Sequence, residues 1–169
     1  MLVEFKNIRD IIEYSEKKFA DNIAFKIKHK NGGKVTYDDV NYKRLSDEIK
    51  AFGKYLIKND LQGKRIAVIG KNIYEWMLTY LSVLCSGGVI VPLDKGLLPY
   101  EVKEQLERSE ADAVFYAEHM SECFEDVEGI KKVVLESEEF SDILKEGFSY
   151  RGIIYLENGD PRLAYEWMK

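Results

Sequence analysis

Histidine and cysteine are nearly absent from this sequence, with two of each, and proline occurs only three times. Cys85 and Cys123 form no C-x-x-C pair and no framework of bridges, so a disulfide-stapled secreted scaffold is excluded and a reducing compartment is expected. His29 and His119 are far apart in the chain, and neither stands at a metal-ligand spacing from Cys, Asp or the other His. No uncharged apolar run reaches spanning length. The best candidate, Ile73 to Leu93, is interrupted by Glu75 and by Ser86-Gly87-Gly88. The opening MLVEFKNIRD carries charges early and lacks an apolar signal core, which points to a cytoplasmic protein. There is no basic excess either. A net charge of -5 argues against duplex nucleic acid as a partner, although it leaves room for a local basic patch. Repeats and low-complexity tracts are lacking.

What is present is ordinary globular material, 46% apolar and 33% charged, in a chain of 169 residues. That is enough for one domain with a real core. The expected organisation is a single α/β domain over 1–169, with 157–169 as a linker or divergent tail. A first helix is expected over Arg9–Ala20, with Ile11, Ile12, Ser15 and Phe19 on one face. AFKIKH alternates as a half-exposed strand does, and Asn31-Gly32-Gly33 supplies a tight hairpin turn into Val35–Tyr37. Thr36-Tyr37-Asp38-Asp39 has the form of a helix start. The helix then runs to about Lys58, with Leu45, Ile49, Phe52 and Leu56 as its buried stripe.

The stretch from Gly63 to Asp94 reads strand, glycine, helix, two glycines, strand, acid. Arg65–Ile69 is apolar on both faces, as a central strand is. Ile73–Cys85 is apolar nearly all round and is expected to be the most buried helix. Val89–Leu93 is a second two-faced strand ending at Pro92. A helix begins at Leu98-Pro99, with Val102 and Leu106 inward and Glu104 paired to Arg108. Ala113–Tyr116 is a strand and Glu118–Val127 a weak helix. Lys131–Leu135 is a strand, followed by a short helix capped by Ser137 and running through Lys145. Ile153–Tyr155 is a last strand. This alternation predicts a mostly parallel sheet flanked by helices on both faces, with an N-terminal β-hairpin.

The same stretch outlines a nucleotide-binding βαβ unit but lacks its chemistry. A phosphate needs free N–H groups at a helix N-terminus, whereas Gly87 and Gly88 sit at a helix C-terminus, which presents carbonyl oxygens. Only Gly70 stands on the N-terminal side. Neither G-x-G-x-x-G nor G-x-x-x-x-G-K-[ST] occurs, so Asp94, placed where a ribose-binding acid would fall, has no partner motif. Gly87 and Gly88 are expected to serve backbone geometry. Cys85 reads as a small core hydrophobe, and Cys123 has no activating base. There is no G-x-S-x-G elbow. Glu125-Asp126 and the acids from Glu136 to Glu139 lack the ligand spacing of a calcium loop. Tyr37, Tyr80 and Tyr116 read as strand or core aromatics. No catalytic, cofactor-binding or metal-binding residue is assigned.

Several of these pieces belong together. Val35-Thr36-Tyr37 with Leu45, the run Gly63–Lys71, Glu75-Trp76, and Ser86-Gly87-Gly88-Val89-Ile90-Val91-Pro92-Leu93-Asp94 resemble the N-terminal part of AMP-forming acyl-CoA ligases of the adenylate-forming superfamily, in particular the long-chain fatty-acid branch. The resemblance extends through Ala111–Tyr116 and on to Ile143, and Glu157–Asp160 looks like the linker before the family's next block. It implies part of that family's N-terminal domain. It also implies a parent enzyme that activates fatty acids through an acyl-adenylate, using ATP, Mg²⁺ and coenzyme A. The family's phosphate loop, adenine motif, ribose-binding aspartate and catalytic lysine would all follow this stretch, so the chain by itself is expected to be inactive. It is expected to pair with the remainder of the ligase N-terminal domain, or with itself, through an uncovered apolar face. A stand-alone α/β module for protein interaction or small-ligand binding, without catalysis, is the alternative from residues alone.

Overall fold

The computed structural model describes residues 4–149. The expected strand Ile153–Tyr155 and the tail 157–169 lie outside the described residues.

Helix α1 (Ile8–Phe19) starts at Asn7, whose side chain accepts the N–H of Asp10. Strands β1 (Ile23–Asn31) and β2 (Lys34–Asn41) form an antiparallel hairpin. Its two-residue turn is Gly32-Gly33, with φ of +55° and +82°. Two successive left-handed residues match the right-handed twist of the strands they join, and glycine takes that conformation without a Cβ penalty. β2 runs on through Thr36–Asp39, which corrects the expected helix start there. The capping residue is instead Asn41, whose Oδ1 accepts the N–H of Arg44 at 2.8 Å at the start of α2 (Tyr42–Lys58). The hairpin ladder pairs Lys26 with Asp39 and Lys28 with Tyr37, so those residues are held extended.

Leu45, Ile49, Phe52 and Leu56 are all buried along α2, as their spacing requires. On α1 only Ile12 is buried. Ile11 and Phe19, expected beside it, are exposed.

The main sheet has the order β4-β3-β5-β6, with all three pairings parallel. Its strands are β3 (Arg65–Ile69), β4 (Val89–Leu93), β5 (Ala113–Tyr116) and β6 (Lys131–Val134). Helix α3 (Tyr74–Cys85) joins β3 to β4, and α4 (Pro99–Ser109) joins β4 to β5. A 3₁₀ segment, Glu118–Phe124, replaces the weak helix expected up to Val127. After β6, Phe140 N–H reaches Ser137 Oγ, and α5 (Glu138–Ser149) extends one turn past the expected end.

The faces of β3 separate two cores. Ile66 and Val68 join Ala113 and Phe115 of β5 under α1, α2, α3 and α5, while Ala67 and Ile69 join Val114 under α4 and the 3₁₀ segment. Phe52, Phe115 and Phe140 meet with ring centroids 5.4–6.4 Å apart and knit α2, β5 and α5 together. Gly147 lies directly against the Ala51 carbonyl, a crossing of α5 on α2 that leaves no room for a side chain.

Two expectations about burial are corrected. α3 buries Tyr74, Leu78, Thr79, Ser82, Val83 and Cys85, but Trp76, Met77, Tyr80, Leu81 and Leu84 are only half-buried. β4 is an edge strand rather than a covered one, with Val89 52% exposed. That position accommodates Pro92 inside the strand. Val89 N–H points to Lys64 O on the β3 side, so Pro92, three residues on, turns its missing N–H outward.

Candidate functional site

In a parallel α/β sheet, ligands sit outside the carboxyl ends of the strands, where the strand order reverses. Here that point lies between β3, whose connection through α3 leads to one side, and β5, which lies on the other. The loops that meet there begin at Gly70 and Ala117. They leave no cradle. Gly70 has φ +149°, and a Cβ on it would lie 2.7 Å from Ala117 Cβ, while Ala117 N–H is bonded to Ile69 O. The glycine lets β3 leave the sheet tightly against β5, and the contact closes the crevice from below.

Gly87 and Gly88 close α3. Gly87 has φ +77° and donates to Leu84 O, and Gly88 donates to Val83 O. This pair of bonds is the Schellman arrangement, which satisfies the last carbonyls of a helix. A Cβ on Gly88 would stand 2.9 Å from Val83 Cγ1 and 3.1 Å from Lys64 O. One glycine therefore supplies the left-handed turn and the other the close approach to β3. Val89 enters the sheet at once through its bond to Lys64 O. The negative end of α3 is met by a cation from α1: Arg9 Nη2 donates to Cys85 O at 2.6 Å, and Nε at 3.2 Å. This geometry suits a guanidinium rather than an anion. Asp94 accepts the N–H of Gly96 in a local turn.

The remaining polar residues divide in the same way. His29 and His119 are exposed. Cys85 is buried, and its thiol is pushed up to about 12 by burial, against a smaller opposing pull from Arg9. Thr36 is exposed on β2. Tyr80 stacks on Trp76, Tyr116 packs on Phe124, and Tyr37 is a strand aromatic on β2, 59% exposed.

The most enclosed polar cluster was not visible in the sequence. Tyr74 Oη donates to Glu48 Oε2 at 2.6 Å, Arg44 Nε donates to Glu48 Oε1 at 2.7 Å, and Arg44 Nη1 reaches Asp38 at 2.9 Å. It ties the hairpin, α2 and α3 into one body. Burial, with the Glu48 carboxylate beside it, raises the Tyr74 phenol well above its ordinary value. Glu75 stands next to this cluster. Burial raises its carboxyl above the usual range, and Glu136 and Glu48 add to the rise. The only sequence signal was an i, i+4 pairing of Arg44 with Glu48, which reads equally as a surface pair. The acids Glu125, Asp126 and Glu136 are exposed, and Glu136 accepts the N–H of Glu118. At the opposite, amino-terminal end of the sheet, Leu106, Val127 and Ile130 floor a groove of about 640 Å³ rimmed by Glu107, Glu125 and Glu128. Among the described residues no three His, Cys, Asp or Glu side chains converge as metal ligands.

A family model described as AMP-binding enzyme matches residues 12–153 of this chain. The chain belongs to that family. A long-chain-fatty-acid–CoA ligase of Escherichia coli is 25% identical over 125 residues, which is 73% of this chain and 21% of that protein. Another, from Bacillus subtilis, is 28% identical over 110 residues, 64% of this chain and 18% of its own length. This AMP-binding family chain thus spans about a fifth of the length of the curated relatives it matches. In fold it resembles a long-chain-fatty-acid-CoA ligase from Archaeoglobus fulgidus, with a TM-score of 0.75 at 18% identity over 87% of this chain and 31% of that one. The fold is that of an adenylate-forming ligase N-terminal domain, in part. No helix among the described residues is long and apolar enough to cross a membrane.

Proposed function

We propose that this chain is the first part of the N-terminal domain of an ATP-dependent, AMP-forming acyl-CoA ligase acting on fatty acids, and that it serves the enzyme as scaffold rather than chemistry. The observation that carries this reading is the family match over 12–153, together with relatives that extend about four-fifths beyond the matched part. The fatty-acid assignment follows the activity by which those relatives are named. Residues 1–169 form the scaffold unit, with 157–169 leading toward the rest of the enzyme.

In such a ligase a fatty carboxylate attacks the α-phosphorus of ATP, giving acyl-AMP and pyrophosphate, and the thiol of coenzyme A then displaces AMP. The described residues do not fit the groups this requires. The helix end at Gly87-Gly88 offers carbonyls, the crevice at Gly70 is closed by Ala117, and no carboxylates converge for Mg²⁺. No step is therefore assigned to the described residues. Its contribution is a rigid two-core platform whose apolar side, Trp76, Met77, Tyr80, Leu81 and Leu84 on α3 with edge strand β4, is the face the remainder of the N-terminal domain covers.

The test is ATP–pyrophosphate exchange with carboxylates of increasing chain length. The 169-residue chain alone is expected to give no exchange above background. Robust exchange from it would overturn the scaffold reading.

A further inference from the structure

The tip of the β1–β2 hairpin is unlike the rest of the molecule. From Lys28 to Tyr37 the sequence contains Lys28, His29, Lys30 and Lys34 and not one Asp or Glu, in a chain whose net charge is -5. The remainder is therefore more acidic still. Antiparallel pairing places Lys26, Lys28 and Lys30 opposite Asp39, Tyr37 and Val35, so these six share one face of the ribbon. Lys26 is neutralised by Asp39 at 2.8 Å. Lys28 and Lys30 on this face, and Lys34 on the other, make no ion pair among the described residues and are exposed, and Tyr37 and Val35, opposite Lys28 and Lys30, are 59% and 45% exposed. On the other face His29 and Thr36 are exposed too, so the ribbon is uncovered on both sides near its turn.

We propose that this hairpin tip is a docking element for an anionic lipid surface. Three unpaired lysines supply attraction to negatively charged headgroups. Tyr37 and Val35 supply an aromatic and an aliphatic side chain on the face that carries Lys28 and Lys30, suited to the boundary between headgroups and acyl chains. The acidic remainder is repelled by the same surface, so the molecule is steered tip-first. Shape favours lipid over an acidic protein. A convex two-stranded tip offers far less than the roughly 1,000 Å² a specific protein interface needs, whereas a headgroup layer can close around it. Duplex nucleic acid can admit a two-stranded ribbon, but it would bring its phosphates against the acidic body. This inference does not depend on the ligase reading.

The test is co-sedimentation of the 169-residue chain with vesicles of phosphatidylcholine alone and with about 30% phosphatidylglycerol, a leaflet of pronounced negative surface potential. Binding is expected only to the anionic vesicles, weakening as salt shortens the range of the lysine charges. The triple variant Lys28→Glu, Lys30→Glu, Lys34→Glu is expected to lower the partition coefficient by about a hundredfold or more, since each lysine near the surface accounts for ~1 kcal/mol. A control triple variant at other exposed lysines, Lys17→Glu, Lys71→Glu, Lys103→Glu, keeps most of the binding. Tyr37→Ser weakens it without changing its salt dependence. Thermal melts of all variants exclude unfolding as the cause. Equal binding to both vesicle types, equal losses in the two triple variants, or no anionic-vesicle binding at low salt would overturn the proposal. So would binding to soluble poly-glutamate in place of vesicles, which would assign the tip to an acidic protein.

Discussion

At the residue scale the two glycines after α3 do different work, and substitutions separate them. Gly87→Val forces a β-branched residue into positive φ, which costs roughly 1–2 kcal/mol even though the space around it is open. Gly87→Asn is expected to recover much of that loss, because Asn tolerates the left-handed region. Gly88→Val collides with Val83 and Lys64 O and costs about 1–3 kcal/mol as overpacking, and Asn does not rescue it. Urea melts read both as a lower midpoint at unchanged slope. A wild-type melting curve in either valine variant contradicts the backbone role.

Two carboxylates give stability opposite responses to pH. Burial works against the charge on Glu16, but hydrogen bonds from Lys50 and Ser46 outweigh it and hold its carboxyl below the usual value of 4.5. Its contribution is present above that value and is lost as pH falls through the lowered one. Glu75 is raised by burial and by Glu136 and Glu48. The folded state therefore binds its proton more tightly, and stability declines as pH climbs from 4.5 through the raised value. Glu75→Gln is expected to raise Tm near pH 7 and to leave it close to wild type near pH 4. A Gln variant less stable at pH 7 would mean that the charged form of Glu75 is held by a partner.

At the scale of elements, what the sequence made legible followed from period. The α2 stripe, the two-faced β3 and the α4 pair Glu104–Arg108, 3.8 Å apart in the fold, all come from local spacing. The errors came where two local signals competed or where burial depended on distant chain. Thr36–Asp39 carries a capping pattern, but Asn41 carries a better cap and the hairpin ladder holds the earlier residues extended. The period of α3 shows that it is apolar and cannot show which apolar side finds a partner. The Glu48–Tyr74 bond joins two helices, and neither residue announces the other in sequence. That Gly87 and Gly88 close a helix was readable, because the apolar run of α3 stops just before them, and such an end presents carbonyls.

At the scale of the whole molecule the half-buried side of α3 has a measurable consequence. Trp76 and Tyr80 stack at 5.4 Å on a surface shared with Met77, Leu81 and Leu84. Apolar surface gathered in one place on a soluble protein drives association. If the remainder of the ligase covers this face, the 169-residue chain alone is expected to self-associate with rising concentration in sedimentation velocity. The pair Trp76→Ser, Tyr80→Ser should shift it toward monomer with little change in its melt. A chain that stays monomeric into the hundred-micromolar range, or a double variant that associates as strongly, rules this out.

The strand order also sets a timetable. Because β3 is flanked by β4 and β5, its two faces are sealed by chain made at different times. α2 precedes β3 and α3 follows it directly, so Ile66 and Val68 meet their first helices while synthesis is still near β4, and Phe115 and Phe140 complete that core later. Ala67 and Ile69 wait for Val102 and Leu106 of α4 and then for Met120 and Phe124. At ribosomal rates of about 5–20 residues per second that interval lasts seconds. A nascent chain that has just released β4 therefore has β3 covered by helices on one face and bare on the other, and for those seconds the bare face is the surface a chaperone would find.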